Sequence, residues 1–429
     1  MTTRIRRRPV WLLCAATLLS LLSTAACRDI TTLQQKDPSQ LDAGSLFVPA
    51  NAQLLVNGAI SDFECSYIRY VVGSGILGDE LVDAISFIAN YDYDRRTMPT
   101  SAPYGTGDCT SQQVPGVYTP LSVARASADT ILAKLEGWTD AEVPNRTKLI
   151  GQSAAYAGYS LILLGEGMCS AAINIGPEMT SDQLFAEAKS RFDKAIAAAT
   201  TAGDETTLHF AQLGRARAYL DMGDLANAAT DAAEIPEGFV VAVNTDAADV
   251  RRQNLVYMHT TQGNFSSVDP SFRNVMWDTI PDPRVAVSDL GVMGSDGHTE
   301  IWLADKYSTV TSPIPIARWA EAQLILAEAA VDAEHLEDAA AIINDLHARA
   351  GIATPAYDVT GATKEEVLAQ VIEERRRELF LEGHRLGDVR RYELPLVPAP
   401  GAAYVSGGTY GDQRCFPLPD VERIHNPNL

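Results

Sequence analysis

The densest run of chemistry-bearing side chains is Glu373-Glu-Arg-Arg-Arg-Glu-Leu-Phe-Leu-Glu-Gly-His-Arg-Leu-Gly-Asp-Val-Arg-Arg-Tyr392. Two chemistries suit it: an anion or phosphate site, or a buried ion-pair clamp. Val367, Leu368, Val371, Ile372 and Leu379 recur at three- and four-residue intervals, which marks one helix face. Continuing that stripe places Arg375 on the apolar side, where an unpaired guanidinium would cost several kcal/mol or more. Gly383 and Gly387 are expected to break the helix and let Asp388 fold back as its partner. Acids and bases alternate here and leave no net positive patch, so the structural reading, an Arg375–Asp388 ion-pair cluster, is preferred.

Catalytic signatures are absent from the sequence. It contains no phosphate-binding Gly-x-x-x-x-Gly-Lys-Ser/Thr loop, no His-Glu-x-x-His helix and no calcium loop. The seven histidines do not pair at i, i+4, and no cysteines have metal-ligand spacing. Asp79 with Glu80, or Asp92 with Asp94, could serve a glycosidase, but among 55 acidic residues such pairs arise by chance. The expectation is a non-enzyme with no catalytic residue, cofactor or metal.

A different kind of chemistry is offered by Tyr257, Trp277, Trp302 and Tyr307, which stand among Asn, Ser, Thr and Gly residues. Rings held in polar loops suit stacking on the apolar face of a sugar, with neighbouring polar groups bonding its hydroxyls. These four are the ligand-binding candidates. The alternative is that such rings form small local cores under long loops.

The elements that must position these groups are mostly helical. The 429 residues are 46% hydrophobic and 21% charged, enough for a sizeable core. Few aromatics and abundant Ala point to closely packed helices. The formal charge is −21, and four of the 34 basic residues fall within residues 1–26, so the remainder is more acidic still. Such a body repels nucleic acid.

Residues 1–26 read as a signal peptide: Arg4, Arg6, Arg7 and Arg8, then an apolar run from Val10 to Ala26. It ends in small residues before Cys27, a pattern that resembles a lipobox, and lipidation of Cys27 would anchor the chain to a membrane. Residues 27–48 form a polar tether, and residues 49–429 a single domain. Cys65, Cys109, Cys169 and Cys415 allow two disulfides in three pairings, or buried free thiols.

Within the body a long helix is expected from about Asn51 to Val72, then a loop-like stretch to Pro115 with Tyr91, Tyr93 and Tyr104 exposed. Thr119-Pro120 reads as an N-cap and first turn. Ala211 to Ala232 looks like a tetratricopeptide repeat, with Ala216, Tyr219, Gly223 and Ala228 at its small, aromatic, turn and small positions. Helical pairs of this kind are expected over about 119–235 and 316–382, separated by a loop-rich insertion at about 236–315. The fold class is therefore mainly α, a tetratricopeptide-like helical-pair superhelix whose long insertion carries a few short strands.

Taken in order, Cys27, Gly78-Asp-Glu80, Val117-Tyr118, Gly158-Tyr-Ser-Leu-Ile-Leu-Leu-Gly165, Asp282-Pro-Arg-Val285, Ile314-Pro-Ile-Ala-Arg318-Trp-Ala-Glu321, Leu326-Ala-Glu-Ala329, Glu374 to Arg385, Phe416-Pro-Leu-Pro419 and Asn426-Pro-Asn-Leu429 resemble the SusD/RagB family of outer-membrane nutrient-binding lipoproteins. The resemblance implies a surface-facing lipoprotein of the outer membrane that captures glycan or peptide fragments. It also implies delivery of these to a SusC-like TonB-dependent barrel. The competing readings are a tetratricopeptide-type protein scaffold of the cell envelope and, behind it, a glycoside hydrolase.

Overall fold

A computed structural model describes residues 43–85 and 87–429; the expected signal peptide and Cys27 lie outside them. A first unit, up to Val48, includes a single helical turn at Ala43–Leu46, and the compact body runs from Pro49 to Leu429.

The body is mainly helical. Its axis is α1 (Ala52–Leu77), which is apolar on most sides and accordingly buried along its second half. α2 (Tyr118–Gly137) and α3 (Arg146–Gly167) pack against it, and α4 (Ser181–Ala202), α5 (Glu205–Asp221) and α6 (Leu225–Ala232) continue the stack. Leu184, Phe185, Ala188, Phe192 and Ala195 form the buried stripe of α4, which starts at a Thr180–Gln183 capping box. The helices cross closely because glycines face a phenylalanine: a Cβ on Gly158 or Gly214 would come within 2.6 or 2.4 Å of the Phe192 ring. After the insertion come α7 (Trp319–Asp332), α8 (Leu336–Ala350), α9 (Lys364–Glu378) and α10 (Arg385–Arg391).

The insertion is closed at its ends by a strand pair. β2 (Val240–Ala242) runs antiparallel to β8 (Pro315–Arg318), with Val240 opposite Arg318. β1 (Leu81–Asp83) pairs with β3 (Ser266–Val268), so the segment after α1 and the insertion share one small sheet. β4 (Met276–Trp277) and β5 (Ile280–Pro281) form one hairpin, β6 (Val287–Met293) and β7 (Glu300–Ala304) another.

Several local expectations are corrected. α1 continues through Gly73 and Gly75 to Leu77, and at Gly73 Val117 packs 2.9 Å from where a Cβ would stand. The stretch to Pro115 holds β1 and helices at Ile88–Asp94 and Pro103–Thr106, and Tyr93 and Tyr104 are buried. α2 begins at Tyr118, before Thr119, whose hydroxyl donates to the Gly105 carbonyl and caps nothing. Gly387 lies inside α10, where its missing Cβ lets the helix approach Glu166. Only Gly383, at φ 74°, marks the reversal. The cysteines pair as Cys65–Cys109 and Cys169–Cys415.

Candidate functional site: a loop-borne platform over a buried charge network

The charged run of α9 and α10 is turned inward. The Nη2 of Arg375 lies 3.0 Å from Asp388 Oδ1, and both groups are buried. The Arg375 guanidinium beside Asp388 holds that carboxyl below its ordinary range, against the opposing effect of burial. Arg318 joins Glu378 and Glu382, each at 2.8 Å, while Arg284 joins Asp282 at 2.7 Å and Glu374 at 2.6 Å. Arg217 makes two 2.6 Å bonds to the Glu166 carboxylate. Arg217 also lies 3.8 Å from Glu321 of α7, and Arg391 of α10 pairs with Glu328 of α7, so cations that meet carboxylates of their own chain tie α3, α5, α7, α9, α10 and the insertion together; the network is not an open anion seat.

The surface that faces outward is built elsewhere. The carbonyl of Ala84, next to β1, accepts from Asp296 N at 3.1 Å, which holds the tip of the β6–β7 hairpin against the β1 segment. Ser267 of β3 fixes β7 from the other side, its Oγ accepting from Trp302 N at 2.8 Å and donating to the Glu300 carbonyl at 2.7 Å. Side chains that would be buried in an ordinary core are left outside on this frame. Phe87 is 50% exposed, Ile88 73%, and Leu290, Val292 and Met293 are exposed along β6. Exposed apolar side chains held on a fixed frame are the kind of surface that interaction sites use. Trp302, half-buried on β7, adds an indole under the guanidinium of Arg273, 5.2 Å from the ring centroid. Arg273 is itself fixed, donating from Nε to the Val268 carbonyl at 2.9 Å and from Nη2 to Ser267 Oγ at 3.3 Å.

Beneath the platform lies a group of buried acids. Asp94 Oδ2 accepts from the Asp83 backbone N–H at 2.9 Å and from the Tyr404 hydroxyl at 3.0 Å. Burial, with Asp94 alongside, pushes the Asp83 carboxyl up to about 8, and burial pushes Asp94 up to about 7. Glu80, raised to about 7 by burial, accepts from Leu381 N at 2.7 Å. Asp79, raised to about 6 by burial, pairs with Arg96 at 2.9 Å. The Asp79–Glu80 and Asp92–Asp94 pairs considered above are thus engaged inside the fold; Asp92 bonds Arg95 at 3.0 Å. Among the described residues no group of three or more His, Cys, Asp or Glu could hold a metal ion.

The four expected ligand rings are not gathered on one face. Trp302, on β7 beside the exposed residues of β6, is half-buried and packs in part against the main core. Tyr307 is 2% exposed and its hydroxyl donates to the Leu381 carbonyl, so it is a core residue closed to ligand, which corrects the expectation. Trp277 donates from Nε1 to the Pro355 carbonyl at 2.8 Å, and its ring packs 4.2 Å from that of His347. Tyr257 packs, partly buried, against the main core. The sequence reading missed Phe87, Ile88, Arg273 and the outward residues of β6. Phe87-Ile88 between short polar stretches was the one available signal.

A second concavity, about 360 Å³, opens between α7, α8 and β2 and is lined by Phe239, Trp319, Arg318 and Arg349. The Arg349 guanidinium covers the Trp319 ring at 4.4 Å and is held by Glu237 and Asp345.

Comparison with known proteins places this architecture. The model of the SusD family matches residues 299–416. A SusD superfamily protein from Bacteroides vulgatus superposes with a TM-score of 0.67 at 17% identity, covering 89% of this chain and 97% of that one. A SusD-like carbohydrate binding protein from the same species gives 0.65 at 17% identity, with coverages of 89% and 97%. A laminarin binding SusD-like protein gives 0.62 at 14% identity, with coverages of 88% and 98%. No curated protein matches the chain. Residues 299–416 thus match the SusD family, and the fold of the body is that of the SusD-like structures.

Proposed function

We propose that the protein is a glycan-binding lipoprotein of the outer membrane. In this reading it captures oligosaccharides on the platform formed by Phe87, the β6 edge and Trp302, and passes them to a SusC-like TonB-dependent barrel. The observation that carries the binding step is the run of exposed apolar residues Leu290, Val292 and Met293 along β6, with Trp302, paired with the fixed Arg273, on the strand that faces it. Two structural neighbours of the same fold, one carbohydrate binding and one laminarin binding, support the ligand class. Anchoring would come from acyl chains on Cys27, and among the described residues no helix is long and apolar enough to cross a membrane. Peptide fragments remain the other nutrient class that the family resemblance admits.

The test is calorimetric titration of the purified protein with neutral oligosaccharides, laminari-oligosaccharides first, together with analysis of the products. Saturable binding without cleavage, weakened in Trp302→Ala, is the expected outcome. Cleavage of the glycan would replace this reading with a hydrolase. For the anchor, Cys27→Ser is expected to release the protein from the membrane fraction, and the barrel is expected to co-purify with the wild type.

A further inference from the structure

The charges around the platform bear on which glycans it admits. Arg273 is the cation fixed over the Trp302 ring, and Asp269, Asp289 and Glu300 all act on it electrostatically. Asp289 sits directly across the β6–β7 ladder from Trp302, and Glu300 across from Met293. Both acids are exposed. Asp296 stands at the hairpin tip, its carboxylate fixed by Thr299 and by the backbone N–H groups of His298 and Thr299. Asp83 and Asp94, below, are pushed up to about 8 and about 7 by burial, which reduces their share of this field at neutral pH. One guanidinium amid exposed carboxylates, on a chain of formal charge −21, gives the platform a negative potential.

We infer that the platform selects uncharged glycans and rejects those bearing uronic acid or sulfate groups, with Asp289 and Glu300 as the excluding residues. This rests on the platform being the glycan site. The apolar rings supply an attraction that every pyranose shares, so they do not discriminate between neutral and acidic sugars. The carboxylates supply a repulsion that only an anionic chain feels, and specificity obtained by repulsion of the wrong ligand is a general device. Each additional acid group on the glycan adds to that repulsion, and salt weakens it, since the Debye length falls from about 30 Å at 0.01 M to about 8 Å at 0.15 M.

The full chain, solubilised in detergent, is titrated with neutral oligosaccharides (glucan and mannan series) and with oligogalacturonate, each at 10 and 300 mM salt. Neutral ligands are expected to bind with the same Kd at both salts. Oligogalacturonate is expected to bind at least tenfold more weakly at 10 mM salt, the gap narrowing at 300 mM. The double variant Asp289→Lys, Glu300→Lys is expected to tighten oligogalacturonate binding relative to neutral-glycan binding at least tenfold at 10 mM salt. Trp302-dependent binding of oligogalacturonate as tight as that of a neutral glycan at 10 mM salt, or no response to the charge reversal, overturns the inference and leaves the platform reading standing. Binding of neither class overturns the platform reading, and this inference with it.

Discussion

The guanidinium of Arg273 lies 5.2 Å from the centre of the Trp302 ring, held there by Ser267 and the Val268 carbonyl. An indole fixed in this way loses little side-chain freedom when a ligand docks, and low ordering cost is what lets a single aromatic carry much of a binding energy. Replacing Trp302 by Ala is expected to weaken glycan binding by about 2 kcal/mol, on the order of thirtyfold. Because the ring is half-buried, the variant should stay folded. Calorimetric titration beside a thermal melt separates the two effects.

The Arg375–Asp388 pair makes the opposite prediction. Both side chains are buried, and removing one partner leaves the other charge without compensation. Arg375→Ala is expected to destabilise the body by about 3–5 kcal/mol, read from urea unfolding. The glycan affinity of the folded fraction should be unchanged, since the network faces inward. A stable variant with lost binding would contradict the structural role.

The Cys169–Cys415 bond encloses a segment of 246 residues and ties the chain end to the loop after α3. Phe416 N donates to the Gly167 carbonyl and Cys169 N to the Phe416 carbonyl, both at 2.9 Å, so the same contact is also knit by backbone. Closing a loop this long restricts the unfolded chain strongly, by about 5.5 kcal/mol on the chain-entropy account. Cys169→Ser with Cys415→Ser is expected to lower stability by somewhat less than that, with platform binding intact. Denaturant titration under non-reducing conditions measures it.

What the sequence revealed and what it hid have physical reasons. The Leu184–Ala195 stripe and the Ala211–Ala232 repeat are local patterns, so periodicity alone identifies α4, α5 and α6. Gly387 was misread as a helix breaker because its use depends on Glu166, more than 200 residues away in the chain. The exposure assigned to Tyr93 and Tyr104 failed for the same reason: both bury against Phe416, at ring distances of 5.4 and 5.3 Å. Tyr307 sits in a polar loop by sequence and in the core by tertiary packing. The platform was invisible because it exists only once β1 pairs with β3 and the β6–β7 tip reaches Ala84. Composition marked the insertion as the place for a binding surface, without saying which of its rings would face out.

The buried acids set the pH profile. Asp79, Glu80, Asp83, Asp94 and Glu321 are pushed up to about 6, 7, 8, 7 and 7 respectively, in each case chiefly by burial. In the unfolded chain such groups lose their protons near pH 4. Between about pH 4 and 8 the folded protein therefore binds more protons than the unfolded one, and by linkage its stability falls as pH rises through that window. Asp282, Glu374, Glu382 and Asp388 are held low by Arg284, by His347 with Arg284, by Arg318, and by Arg375, overcoming their burial. Their contribution is present above the ordinary carboxylate range and is lost as pH drops below about 4. The two limbs place the maximum near pH 4, with the melting temperature declining toward pH 8. Asp83→Asn removes the carboxyl raised furthest among these five, and the variant is expected to show a shallower alkaline decline than the wild type. Melting curves from pH 4 to 9 decide it: an unchanged slope in Asp83→Asn would mean that this carboxyl does not titrate within the fold as its burial requires.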